Sequence, residues 1–147
     1  MKLSTKSRYA LEAMLFLAAS PSGKPASIRE ISKGTGLSES YLEQIFFRLR
    51  KMGLLTASRG ASGGYCLSRE PSAITAGEIV RAMEEHASPV VCVEDPAHCK
   101  DRLTACCRTR SLWMRLADEI YRTLDARTLS DLREGYASYL AQKEEVQ

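Results

Sequence analysis

A chain of 147 residues, 44% apolar and 27% charged, has the make-up of one modest soluble domain or a small domain with a helical extension. No apolar run approaches the roughly 18 residues that span a bilayer. The stretch Ala10–Ala19 is short and interrupted by Glu12, so neither a membrane span nor a signal peptide is expected and the chain reads as cytoplasmic. Charge is uneven: residues 1–70 carry 11 Lys/Arg and 5 Asp/Glu (+6), residues 71–147 carry 10 and 13 (−3), giving the net +3. A basic first half suits a polyanionic partner.

In chain order, Ser4 or Thr5 caps a first helix with the apolar stripe Tyr9, Ala10, Ala13, Met14, Phe16 and Leu17, broken at Pro21-Ser22-Gly23. Ser27, with Glu30 three residues on, forms a capping box for a second helix that carries Ile28 and Ile31 and ends at Gly34-Thr35-Gly36. Ser38 caps a third helix, Ser38–Met52, whose inward residues are expected to be Leu42, Ile45, Phe46, Leu49 and Met52, with Gly53 as its stop. Leu54–Ser58 and Tyr65–Ser68 read as two short strands around the turn Arg59–Gly64. Cys66, on the second strand, is expected to face inward. Two helices joined by a Gly-containing turn, followed at once by a hairpin, make a winged helix-turn-helix. The fold class is therefore mainly α, with a small β wing.

The pattern turns helical again after Pro71. Thr75 and Glu78 form a second capping box opening a helix Ala76–Glu85 with Ile79, Val80 and Met83 inward. Thr109–Ala126 is a long helix with the stripe Leu112, Trp113, Leu116, Ile120 and Leu124. Ser130 opens a last helix carrying Leu132, Tyr136, Tyr139 and Leu140, with a frayed tail from Gln142. The chain divides into a DNA-binding unit 1–70, a linking helix 71–91, a cysteine loop 92–107 and terminal helices 108–147.

Two sets of residues carry chemistry. Lys2, Lys6, Arg8, Arg50, Lys51, Arg59 and Arg69 can neutralise phosphates. Ser38, Glu39, Ser40, Tyr41 and Gln44 sit at the helix end that meets base edges, and Gln is shaped for adenine. Glu43 either accepts from cytosine N4 or faces Arg50 or Lys51 and supports the helix. The wing tip, Ser62, Gly63, Gly64 and Tyr65, lets backbone approach phosphates closely. The second set is Cys92, Cys99, Cys106 and Cys107, four of the five cysteines, spaced C-x6-C and then x6 or x7. This is no zinc-ribbon or ferredoxin spacing. Thiolates on so long a loop suit a larger soft centre such as an iron–sulfur cluster. The odd cysteine count excludes a full set of internal disulfides. His86 and His98 are the only histidines, and no nucleophile–base dyad stands out, so an enzyme is not expected.

The segments 1–14 (MKLSTKSRYALEAM), 38–46 (SESYLEQIF), 59–65 (RGASGGY), 74–80 (ITAGEIV) and 107–113 (CRTRSLW) resemble the Rrf2 family of bacterial transcription regulators. The likeness is strongest to its iron–sulfur cluster regulators of the Gram-positive type, and it covers nearly the whole chain. It implies a homodimer in which Thr109–Ala126 crosses its partner and two recognition helices read a palindromic DNA operator. It also implies a 2Fe–2S cluster on Cys92, Cys99 and Cys107, with Cys106 as the adjacent alternative and a fourth ligand that is not cysteine. Well-known members have histidine three residues after the third cysteine; this chain has Arg110, a poor ligand. Glu12, one turn beyond Arg8 on the first helix, is the first choice for the fourth ligand, with His98, His86 or Cys106 behind it. The resemblance implies a repressor of cluster-assembly or cysteine and sulfur-supply genes. The alternative within the family is a cluster-free regulator of cysteine metabolism that acts through a partner enzyme.

Overall fold

The computed structural model describes residues 4–20, 23–84, 90, 93 and 109–135. Helix α1 (Thr5–Ala18) is capped by Ser4, whose hydroxyl accepts from the Ser7 N–H. Helix α2 (Ile28–Thr35) opens on the Ser27–Glu30 capping box and stops at Gly36, a left-handed residue at φ 74°. Helix α3 (Glu39–Lys51) is capped by Ser38 and followed by Gly53 at φ 71°. The hairpin pairs β1 (Leu55–Ser58) antiparallel with β2 (Gly64–Leu67) in the register Leu55↔Leu67 to Ser58↔Gly64. A 3-10 turn at Pro71–Ala73 leads to α4 (Ala76–Met83), with its Thr75–Glu78 capping box. Helix α5 spans Arg110–Asp125 and a further helix, α6, covers 129–135.

The core forms where the inner faces of α1, α2 and α3 meet. Ala10, Ala13, Met14, Ile31, Leu42, Phe46 and Leu49 are fully buried there, with Leu54 and Leu55 closing the wing side. Ile74, Ile79, Met83 and Leu129 join the same cluster, so α4 and the start of α6 seal one edge.

Several expectations need correction. The wing has a further bridge that the sequence did not announce: Ala26 pairs with Tyr65 through two backbone hydrogen bonds of 2.9 and 2.8 Å. A Cβ on Gly64 would lie 2.4 Å from the Ala26 carbonyl oxygen, which is why this approach needs glycine. The strands sit one residue off the expected limits, because Leu54 is spent in the turn and Gly64 already pairs with Ser58. Met52 does not face the core. It is the C-cap residue of α3 and is 56% exposed, since the chain turns there instead of continuing the stripe. Cys66 is half-exposed rather than inward, its sulfur 3.0 Å from the hydroxyl of its cross-strand partner Thr56.

Helix α4 stops at Met83, short of the expected Glu85. Glu84 is extended (φ −98°, ψ 134°), which sends its carboxylate to the start of α1. The last helix opens one residue before Ser130. Its cap is Thr128, whose hydroxyl accepts from the Asp131 N–H at 3.1 Å while the Asp131 carboxylate accepts the Thr128 N–H at 2.8 Å. The expected stripe residues Tyr136, Tyr139 and Leu140 lie outside the described residues.

Candidate nucleic-acid interface

Helix α3 divides into two faces. Leu42, Ile45, Phe46 and Leu49 are buried, while Glu39, Ser40, Glu43, Gln44, Phe47, Arg50 and Lys51 are exposed. The split follows from the 3.6-residue period: the buried set falls at i, i+3, i+4 and i+7. Ser38 is exposed and is committed to the Tyr41 N–H at 3.3 Å. Tyr41 is half-buried, its ring edge-on to Tyr9 with centroids 5.6 Å apart, so most of that side chain braces α3 against α1. Among the described residues Glu43 makes no ion pair with Arg50 or Lys51, so the expected local support for the helix is not formed.

Two concavities flank the exposed face. One, about 540 Å³, is lined by Lys6, Ser40, Glu43, Gln44, Phe47 and Met83 among others. The other, about 490 Å³, lies between α3 and β1 and is lined by Phe47, Arg50, Lys51, Leu55, Thr56 and Ala57. Lys6 and Arg8 are exposed on α1, and Arg59 and Ser62 are exposed at the wing. Gly63 and Gly64 are half-buried in the wing turn. Tyr65 is half-buried too, its ring 4.7 Å from that of Phe46, so it anchors the wing to α3. Arg69 is engaged elsewhere: it donates to the Ala73 carbonyl at 3.0 Å and pairs with Glu78 at 2.8 Å. Burial alone would push the Glu78 carboxyl up, but the Thr75 N–H and Arg69 outweigh it and hold it below its ordinary value.

The end of α4 is tied to both α3 and α1. Arg48 on α3 donates to the Met83 carbonyl at 3.1 Å. Next to it, one oxygen of Glu84 accepts the Ser4 N–H at 2.9 Å, the Ser4 hydroxyl at 2.5 Å and the hydroxyl of Ser7, which is only 1% exposed. Burial would raise the Glu84 carboxyl; the Ser7 and Ser4 donors, with Lys6, overcome it and leave it lowered. None of these roles was expected from the sequence. The residues are 35 to 80 positions apart, and no local spacing announces such pairs. Phe47 was also missed, although a signal existed: it falls outside the i, i+3, i+4, i+7 stripe of Leu42, Ile45, Phe46 and Leu49.

Further along, Arg81 forms a two-point pair with Asp125, both distances 2.7 Å, and lies over the Tyr121 ring at 4.4 Å. The Arg81 hydrogen bonds hold the Asp125 carboxyl below its ordinary value. This pair docks α5 on α4. Leu112, Met114 and Leu116 of α5 remain 57, 45 and 41% exposed, and of the described α5 residues only Ala117 is buried. Glu12 is exposed on α1. Lys2, Cys92, Cys99, Cys106, Cys107, His86 and His98 lie outside the described residues. Among the described residues no group of His, Cys, Asp or Glu is assembled for a metal, and no helix is long and apolar enough to cross a membrane.

A helix-turn-helix with an adjoining wing and a solvent-facing third helix defines a winged-helix transcription regulator. The model of the Rrf2 family, described as an iron-dependent transcriptional regulator, matches residues 3–135, and the chain belongs to that family. It is 43% identical over 146 residues to the HTH-type transcriptional regulator CymR of Bacillus subtilis (strain 168), covering 99% of this chain and 96% of that protein. The solved structure of CymR, the global cysteine regulator of B. subtilis, superposes with a TM-score of 0.73 at 42% identity, covering 91% of this chain and 97% of that one. The HTH-type transcriptional regulator IscR of Escherichia coli O1:K1 / APEC is 39% identical over 134 residues, 90% of this chain and 80% of that protein. A solved structure of T. potens IscR gives a TM-score of 0.69 at 37% identity, covering 100% of this chain and 91% of that one. The chain is thus a transcriptional regulator and not an enzyme.

Proposed function

We propose that this chain is a homodimeric repressor that reads a palindromic operator and whose grip on DNA is set by a 2Fe–2S cluster. The observation that carries the reading is the placement of Met83 and Glu84. They stand at the entrance to the segment holding four cysteines, and they hold the Arg48 side chain of α3 and the N-terminus of α1. A shift there would therefore reach the recognition helix through Arg48 and the first helix through Glu84. In this reading residues 1–70 bind DNA, 71–91 link, 92–107 form the cluster loop and 108–147 join the two copies. The open apolar stripe of α5 supports the last assignment, because a second copy would cover it.

On the DNA side, Lys2, Lys6, Arg8, Arg50, Lys51 and Arg59 take phosphates. Ser40, Glu43 and Gln44 reach base edges, with Ser38 and Glu39 at the helix start, while Tyr41 and Tyr65 brace the two reading elements. The backbone of Ser62, Gly63 and Gly64 meets the sugar-phosphate chain.

The donor set suits the cluster: Cys92, Cys99 and Cys107 supply soft thiolates, with Cys106 as the rival third ligand. Glu12, exposed on α1, is the first choice for a fourth, oxygen ligand, and His98 is the alternative. Such a cluster, when bound, supplies a centre whose occupancy and oxidation state follow iron, sulfur and oxygen supply. Regulation then equals the difference in cluster affinity between the DNA-competent and incompetent forms.

Protein purified without air should be brown, with iron and sulfide in equal amounts, and Cys92→Ala should be colourless yet folded. Gel shifts with the chain's own upstream DNA should separate loaded from apo protein. Equal affinity of the two forms at every salt concentration would defeat the switch. The 43% identity to CymR over 99% of the chain favours a second reading, cluster-free control of cysteine supply. Colourless protein without iron after reconstitution, still binding DNA, would select it.

A further inference from the structure

Phe47 is 70% exposed, more than any other large apolar side chain among the described residues. A phenyl ring left in water keeps its large apolar area available for a partner. It does not edge the core. On a helix of 100° per residue it lies 40° from Glu43 and 60° from Gln44, beside them and next to Arg50 and Lys51. It forms the ridge between the two concavities that flank α3. The one on its wing side has two cations and no carboxylate among its lining residues. An apolar protein partner would have to desolvate both cations, whereas a nucleic acid would pair with them.

The major groove of DNA offers one apolar group, the C5-methyl of thymine. We propose that Phe47 is a specificity-determining residue that packs on this methyl, one base step beyond the pair met by Glu43 and Gln44. The proposal rests on the reading of α3 as the helix that enters the groove. Phe47 lies three residues past Gln44, a rise of about 4.5 Å, comparable to the roughly 3.4 Å base step.

The test uses the full chain. Duplexes bound by wild type and by Phe47→Ser are selected from a random pool, and each thymine of the wild-type consensus is replaced in turn by deoxyuridine, which lacks only the methyl. At one thymine per half-site the replacement should weaken wild type about fourfold, the equivalent of about 0.8 kcal/mol for one methyl group. The same replacement should leave Phe47→Ser unchanged. Equal affinity of wild type for thymine and deoxyuridine at every position, or equal losses in both proteins, would overturn the proposal while leaving α3 as the reading helix. Failure of wild type to select any sequence would overturn both. Because the uridine arm uses unaltered protein, the outcome does not depend on the variant folding.

Discussion

Replacing Glu84 by Ala tests whether the α4–α1 clamp holds the fold together. One Glu84 oxygen accepts three donors, two of them hydroxyls. A hydrogen bond to a charged group contributes about 1.5–3 kcal/mol, but three bonds on one half-exposed oxygen do not add. The larger cost is the Ser7 hydroxyl, 1% exposed, which would lose its acceptor; a stranded buried hydroxyl costs about 1–3 kcal/mol. The expected loss is therefore about 2–3 kcal/mol, or roughly 5–10 °C in Tm for a chain of this size. Ser7→Ala should remove the stranded donor, so the double variant should be no less stable than Glu84→Ala alone, giving a coupling of about 1–2 kcal/mol.

The same clamp predicts a pH dependence. The folded Glu84 carboxyl lies below its ordinary value of 4.5. Its stabilisation is complete above that pH and disappears as pH falls through the lowered folded value. The gap between wild type and Glu84→Gln should therefore be full at neutral pH and close as pH falls through the lowered folded value. Urea unfolding at fixed protein concentration measures all of this, because self-association would otherwise shift midpoints. A Glu84→Ala variant within about 0.5 kcal/mol of wild type at pH 7, or a cycle with no coupling, would refute the reasoning.

Ser38→Ala should cost about 1 kcal/mol, because it leaves the Tyr41 N–H without its cap at the start of α3; thermal unfolding reads this directly. Gly64→Ala should free the wing from the segment before α2, since the new Cβ meets the Ala26 carbonyl at 2.4 Å and backbone must move. Amide exchange at Ala26 and Tyr65 should speed up markedly, whereas unchanged protection there would contradict the account. Arg50→Ala should weaken DNA binding across all sequences and lower the slope of log affinity against log salt by about one. A changed base preference with an unchanged slope would show instead that Arg50 reads bases.

Caps and periodicity disclosed most of this fold from the sequence. Ser4, Ser27 with Glu30, Ser38, and Thr75 with Glu78 each start a helix where their spacing indicates. Such signals are legible because a cap acts on a backbone N–H two or three residues away, and a helix face repeats every three or four. The exposed positions of α3 follow from the same arithmetic. The tertiary structure decided what depends on chain segments far apart. Ala26 joined the wing because Gly64 left room for its carbonyl. Helix α4 ended early because Glu84 found hydroxyls 77 and 80 residues upstream. Arg48 was drawn from the solvent side of α3 to the Met83 carbonyl, and Met52 was left outside when the chain turned at Gly53. Each of these choices is made by a few kcal/mol of contact between surfaces that meet only once the chain has collapsed, so no local pattern encodes them.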